Sequence, residues 1–119
     1  MANILIVDDA KFMRLTLAAI LKKGNHHIVG EAESGIEEID LYEKHKPDLV
    51  TMDVTMPLMS GLEATKVIKG KYPDAKIIMC SAMGQQKIVR ESIEAGAKDF
   101  IIKPFEEIRV IDAVKRVLD

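Results

Sequence analysis

Asp8 and Asp9 stand side by side after one apolar run, "ILIVDD", and Asp53 ends another, "LVTMD". Ser81 closes a third, "IIMCS", and Lys103 a fourth, "FIIK". Burying an ionised carboxylate costs several kcal/mol unless something pairs with it, so acids at the ends of buried segments need a reason. Taken singly, each residue is ordinary: "DD" is a solvated turn or helix cap, Asp53 a strand-end turn former, Lys103 a surface lysine. Brought together, they would make a site for phosphoryl transfer. At about 4 Å and an effective dielectric near 20, each pair of like charges costs on the order of 4 kcal/mol. Such a cluster needs cations or bound protons. Lys103 supplies one positive charge. A hard divalent ion such as Mg²⁺, which takes one or two carboxylates and keeps several waters, is the natural second. A metal beside a carboxylate, with an ammonium and a hydroxyl within reach, neutralises the equatorial oxygens of a transferring phosphoryl group. An aspartate can itself be the nucleophile and become an acyl phosphate, which makes Asp53 the candidate acceptor.

That chemistry requires elements that bring distant residues to one place. Runs at 4–7, 28–32, 49–53, 77–80 and 100–103 are aliphatic or β-branched, short, and bounded by turn formers. They are continuous rather than alternating, as expected of strands covered on both faces. Between them lie helical patterns. Met13, Leu17, Ile20 and Leu21 share one face, with Gly24 as the stop. Val110, Ile111, Val114, Val117 and Leu118 repeat the pattern at the end of the chain. Segments near 36–45, 61–70 and 85–95 are weaker helices, with Ser34 and Ser60 as caps and Gly96 as a terminator. Five strands alternating with five helices imply an α/β fold: a doubly wound parallel sheet with helices on both faces. In such sheets ligands sit beyond the carboxyl ends of the strands, where Asp8, Asp9, Asp53, Ser81 and Lys103 would meet.

Composition excludes several alternatives. The chain has 119 residues, 48% of them apolar, as in an ordinary globular domain. A formal net charge of -2 offers no basic field for nucleic acid and no polybasic stretch for a membrane surface. No apolar run is long enough to span a bilayer, and no signal-peptide pattern opens the chain, so a soluble, cytoplasmic protein is expected. The single cysteine, Cys80, cannot form an internal disulfide and reads as core. A zinc or iron site would need Cys and His ligands that are missing here. His26, His27 and His45 are expected to be solvent-facing. The seven methionines read as core fillers, with Met56 and Met59 as possible exceptions. Ile88 and Val89 are adjacent, which suggests that one of them faces a partner.

The motifs "ILIVDDAKFMR", "PDLVTMDVTMPLMSG", "IIMCSAMG" and "GAKDFIIKPF" follow one another in register. Through them the chain resembles the receiver domains of two-component response regulators over essentially its whole length, as one domain, 1–119. The resemblance implies a flavodoxin-like fold with strand order 2-1-3-4-5. It implies that Asp53 is the phosphorylated aspartate. Asp9, Asp53 and the backbone carbonyl of Thr55 would bind Mg²⁺ directly, with Asp8 reaching it mainly through water; Mn²⁺ could substitute. Lys103 matches the lysine that pairs with Asp53 or a phosphoryl oxygen, and Pro104 follows a peptide bond often cis in the family. Ser81 matches the switch hydroxyl and Ala82 its small neighbour. Phe100 matches the aromatic that turns inward once Ser81 has moved, here without the hydroxyl of a tyrosine. Thr55 and Met83 flank the acceptor and would tune hydrolysis of the phosphoaspartate.

Within the family, "CSAMGQQ" and Thr55 make the chain most similar to the single-domain CheY-type regulators of chemotaxis. That similarity implies a CheA-like sensor histidine kinase as donor, with a flagellar switch protein and a CheC-like phosphatase as partners. It also implies a monomer without direct nucleic-acid or membrane contact. The protein would catalyse only its own phosphorylation and dephosphorylation. Three other readings compete. A haloacid dehalogenase-type phosphatase expects a second aspartate two residues after the nucleophile, where Thr55 stands. A flavodoxin-like electron carrier needs a hydroxyl-rich phosphate loop, and "VDDAKFM" would repel a phosphate. A receiver cut from a longer regulator would carry a DNA-binding or enzymatic effector, whereas the segment after Lys103 suffices for one closing helix.

Overall fold

In a computed structural model, residues 2–54, 56, 59–82 and 84–119 are described. The chain alternates strictly: β1 (Asn3–Val7), α1 (Lys11–Lys23), β2 (His27–Ala32), α2 (Gly35–His45), β3 (Leu49–Asp53), α3 (Gly61–Lys71), β4 (Ile77–Ser81), α4 (Gln86–Glu94), β5 (Asp99–Ile102) and α5 (Glu107–Leu118). The five strands form one parallel sheet in the order β2-β1-β3-β4-β5. This is the expected doubly wound fold.

Side-chain alternation along the strands divides the core in two. Leu5 and Val7 of β1, Val50 and Met52 of β3, and Ile77 and Met79 of β4 face one side, with Tyr42, Ala64 and Ile68. Ile4, Ile6, Leu49, Ile78 and Cys80 face the other, with Leu17 and Leu21 of α1 and Val110 and Val114 of α5. Every residue of β3 and β4 is buried, which is why those runs look continuously apolar. The edge strand β2 departs from that expectation, since only Ala32 in it is buried. An edge strand lacks a neighbour on one side, and residues such as Glu31 exploit that exposure.

Helix ends follow their local chemistry. The Ser34 hydroxyl accepts from the Glu37 amide at 3.2 Å, and Ser60 accepts from Glu63 at 3.2 Å. Gly24 does cap α1, but the left-handed residue there is the next one, Asn25, at φ 67°. Gly96 follows α4 at φ 113°, a conformation that favours glycine.

Several expectations are corrected. The buried face of α1 is Arg14, Leu17, Ala18, Ile20 and Leu21, with Met13 only half-buried. Ile88 and Val89 both pack partly buried against the core, and the large apolar residue that α4 leaves exposed is Ile93. Met56 is core and Met59 packs against it, so neither is an exception among the methionines. His26 is not simply solvent-facing: its Nδ1 accepts from the Ala2 amide at 3.2 Å, and burial, with the nearby N-terminal charge, lowers its pKa. His27 and His45 are exposed.

Candidate functional site

The parallel strands deliver their last residues to one edge. Asp8 follows β1 directly, and its amide donates to the Ala32 carbonyl at 3.0 Å, continuing the ladder to β2. Asp53 is the final residue of β3, paired with Cys80, and Ser81 is the final residue of β4. β5 stops at Ile102, one residue earlier than its apolar run suggests; the Lys103 amide still donates to the Ser81 carbonyl at 2.8 Å. Pro104 then ends the ladder, having no N–H to give, and the Lys103–Pro104 bond is cis.

The Lys103 ammonium donates to Asp8 Oδ2 at 2.6 Å and lies 3.3 Å from Asp53 Oδ1. Asp8 and Asp53 are buried, whereas Asp9 is exposed at the rim. One carboxylate oxygen from each of Asp8, Asp9 and Asp53 falls within 4.8 Å of the others. In an octahedral shell with Mg–O bonds of 2.0–2.1 Å, neighbouring oxygens lie about 2.9 Å apart, so this all-oxygen donor set suits such an ion once the carboxylates draw closer around it. The other Asp8 oxygen, Oδ1, accepts from the Ala10 amide at 2.9 Å.

Burial pushes the Asp53 carboxyl up to about 6, and the charges of Asp8 and Asp9 push the same way, while Lys103 opposes them. Burial by itself would lower the Lys103 pKa, but its bond to Asp8 and the charges of Asp53 and Asp8 outweigh it, so the ammonium is held charged. One lysine shared between two buried acids leaves the pocket short of positive charge. Burial raises the Cys80 thiol to about 12, which keeps it inert beside the site.

Ser81 is buried and Ala82 exposed at this same edge. The Phe100 ring is already buried in the core rather than turned out. Thr55 and Met83, expected to flank the acceptor, lie outside the described residues.

Two contributors were missed by sequence reasoning. A Cβ on Gly61 would lie 2.0 Å from the Asp53 carbonyl oxygen, so the start of α3 can press against the strand end only with glycine there. The Gly61 amide donates to the Val54 carbonyl at 2.8 Å, closing the loop after Asp53. Arg14 donates through Nη1 to the Asp8 backbone carbonyl at 2.7 Å and pairs with Glu31 and Glu33. Its signal was legible: Arg14, Leu17, Ala18 and Leu21 share one helical face, so the arginine points inward.

A five-stranded parallel sheet with an acidic pocket and a lysine at its carboxyl edge is the kind of module suited to phosphoryl chemistry. The model of the response regulator receiver domain matches residues 4–115, and the chain belongs to that family. It is 56% identical over 118 residues to protein CcdB of Bacillus subtilis, covering 99% of this chain and 98% of that one. It is 54% identical over 117 residues to the chemotaxis protein CheY of the same organism, covering 98% of each. Among solved structures, the CheX-CheY-BeF3-Mg complex from Borrelia burgdorferi superposes with a TM-score of 0.95 at 35% identity, covering 98% of this chain and 89% of that one. Among the described residues, no helix is long and apolar enough to cross a membrane.

Proposed function

We propose that Asp53 is the phosphoacceptor of a CheY-like switch, with residues 1–119 acting as one receiver unit. The observation that carries this is the meeting of three carboxylates with a single shared ammonium at the sheet edge, a pocket short of positive charge. An Asp53 oxygen attacks the donor phosphorus in line, forming the O–P bond. The P–N bond of a phosphohistidine, or the P–O bond of a small acyl phosphate, breaks, and its electron pair leaves with the donor. Lys103 steadies charge on the phosphoryl oxygens, and Ser81 hydrogen-bonds the product. Water later cleaves the acyl phosphate and restores Asp53.

Asp9 and Asp53, the Thr55 carbonyl, and Asp8 through water would hold Mg²⁺ or Mn²⁺. The ion supplies Lewis-acid neutralisation of the phosphoryl charge. The oxygen-only donor set supports this, as does the Mg in the Borrelia complex. The new dianionic group then favours an arrangement of Ser81, Ala82, Phe100 and Pro104 that a target recognises, a shift bounded by the difference in binding between the two arrangements. Met83 and Thr55 set how readily water reaches the phosphoaspartate. The CheY relatives support chemotaxis as the setting, with a CheA-like histidine kinase as donor and a flagellar switch protein as target. The Borrelia CheX-CheY pairing supports a further partner, which we assign as a CheC-like phosphatase.

The test is intact mass after incubation with acetyl phosphate and Mg²⁺. Wild type should gain one phosphoryl group and Asp53→Asn none. Equal gain in both proteins would remove Asp53 from the role.

A further inference from the structure

Arg14 is buried, and its guanidinium joins the acidic turn between β1 and α1 to the end of β2. Nη1 donates to the Asp8 carbonyl at 2.7 Å, Nε to Glu31 at 2.9 Å, and Nη2 to Glu33 at 3.3 Å. Its backbone amide donates to the Ala10 carbonyl at 3.1 Å, the first hydrogen bond of α1, which any residue at this position would make. The guanidinium therefore ties the Asp8 end of the Asp8-Asp9-Ala10 turn to the end of β2. A buried guanidinium left unpaired would be strongly destabilising; here two glutamates neutralise it, so its charge does not oppose a cation in the pocket. What remains is geometry: a rigid fork reaching three acceptors at once, which a lysine ammonium on a flexible stem does not reproduce.

We propose that Arg14 is a positioning residue for the divalent cation: it fixes the backbone of Asp8, and thereby the carboxylates of Asp8 and Asp9, in the arrangement that coordinates Mg²⁺. This rests on the reading of the acidic pocket as a Mg²⁺ site. Outer partners that orient metal ligands commonly account for about 10–100-fold in metal affinity. Arg14 acts through Asp8 and makes no contact with the reacting group itself.

The experiment measures the Mg²⁺ dissociation constant of wild type, Arg14→Lys and Arg14→Met by backbone amide shifts on titration with MgCl₂, with thermal midpoints taken in parallel. Phosphorylation by acetyl phosphate is then compared at saturating Mg²⁺. Both variants should weaken Mg²⁺ binding about tenfold. Arg14→Lys, which keeps the charge, should not rescue it, and the saturated phosphorylation rate should stay within about threefold of wild type, as expected when only affinity is lost. A lowered midpoint with a dissociation constant within about threefold of wild type would reduce Arg14 to a structural role and overturn the proposal. Should Arg14→Met fail to fold, Arg14→Lys decides alone. A wild type that binds no Mg²⁺ would instead sink the reading of the pocket.

Discussion

Asp53 and Glu38 are both carboxylates sunk into the protein, one at the sheet edge and one under α2. Asp53 is 7% exposed and Glu38 0%. Burial raises both, Asp53 to about 6 and Glu38 to about 8. The difference lies in their company. Asp53 has a lysine at 3.3 Å and two acids beside it, whereas neither Glu38 oxygen has a hydrogen-bond partner among the described residues. A buried acid with a cation nearby remains available as an anion near neutral pH. One without a cation is held neutral and costs stability as pH rises. Company, rather than burial, separates a reactive carboxylate from a misfit one.

The largest effect expected on that contrast is chemical. Asp53→Asn should abolish phosphoryl uptake, whereas Glu38→Met should leave it within about twofold of wild type, because Glu38 makes no contact with reacting groups. A mass shift measured on both variants checks this.

Stability comes next. Glu38 keeps a proton in the folded state that it loses at its ordinary value of 4.5 when unfolded. Its contribution is therefore fully present below pH 4.5 and is lost as pH rises through about 8. Between pH 5 and pH 9, wild type should lose a few kcal/mol that Glu38→Met does not, a shift of one pKa unit being about 1.4 kcal/mol. Urea unfolding of both proteins across that range would show the gap widening. A constant gap would mean that Glu38 finds a partner or solvent.

Removing the cation should make Asp53 resemble Glu38. Lys103→Met should raise the Asp53 pKa above its wild-type value and slow phosphorylation by about 100-fold, the usual cost of one charge-stabilising donor. Carbon-13 titration of the carboxyl and a single-turnover rate read the two effects. A smaller change is expected from the metal: Mg²⁺ should pull the Asp53 pKa down by about one to two units, as a nearby opposite charge does. Glu38, outside the pocket, should not respond to it.

Much of this architecture was legible in the sequence. The interior strands β1, β3 and β4 are apolar because both faces are covered, and their end residues marked the pocket. Exposure of β2 was not legible, since "HIVGEA" carries the same aliphatic residues whether or not a neighbour follows. Glu38 was hidden for a related reason: "GIEEIDLYE" has acids all round, and only packing of α2 decides which one turns inward. Arg14 was readable from its helical position, but its target is a backbone carbonyl that leaves no trace in residue types. Gly61 lay inside the quoted "PLMSG" without its purpose, because the contact it permits is with main-chain atoms at the end of β3, which residue types do not report.

The central claim is that the phosphoryl group is carried by Asp53. Wild type treated with acetyl phosphate and Mg²⁺, reduced with borohydride and digested, should yield homoserine at position 53, since an acyl phosphate is reduced and a free carboxylate is not. Homoserine at position 8 or 9, or phosphate retained on a serine or threonine, would contradict the account.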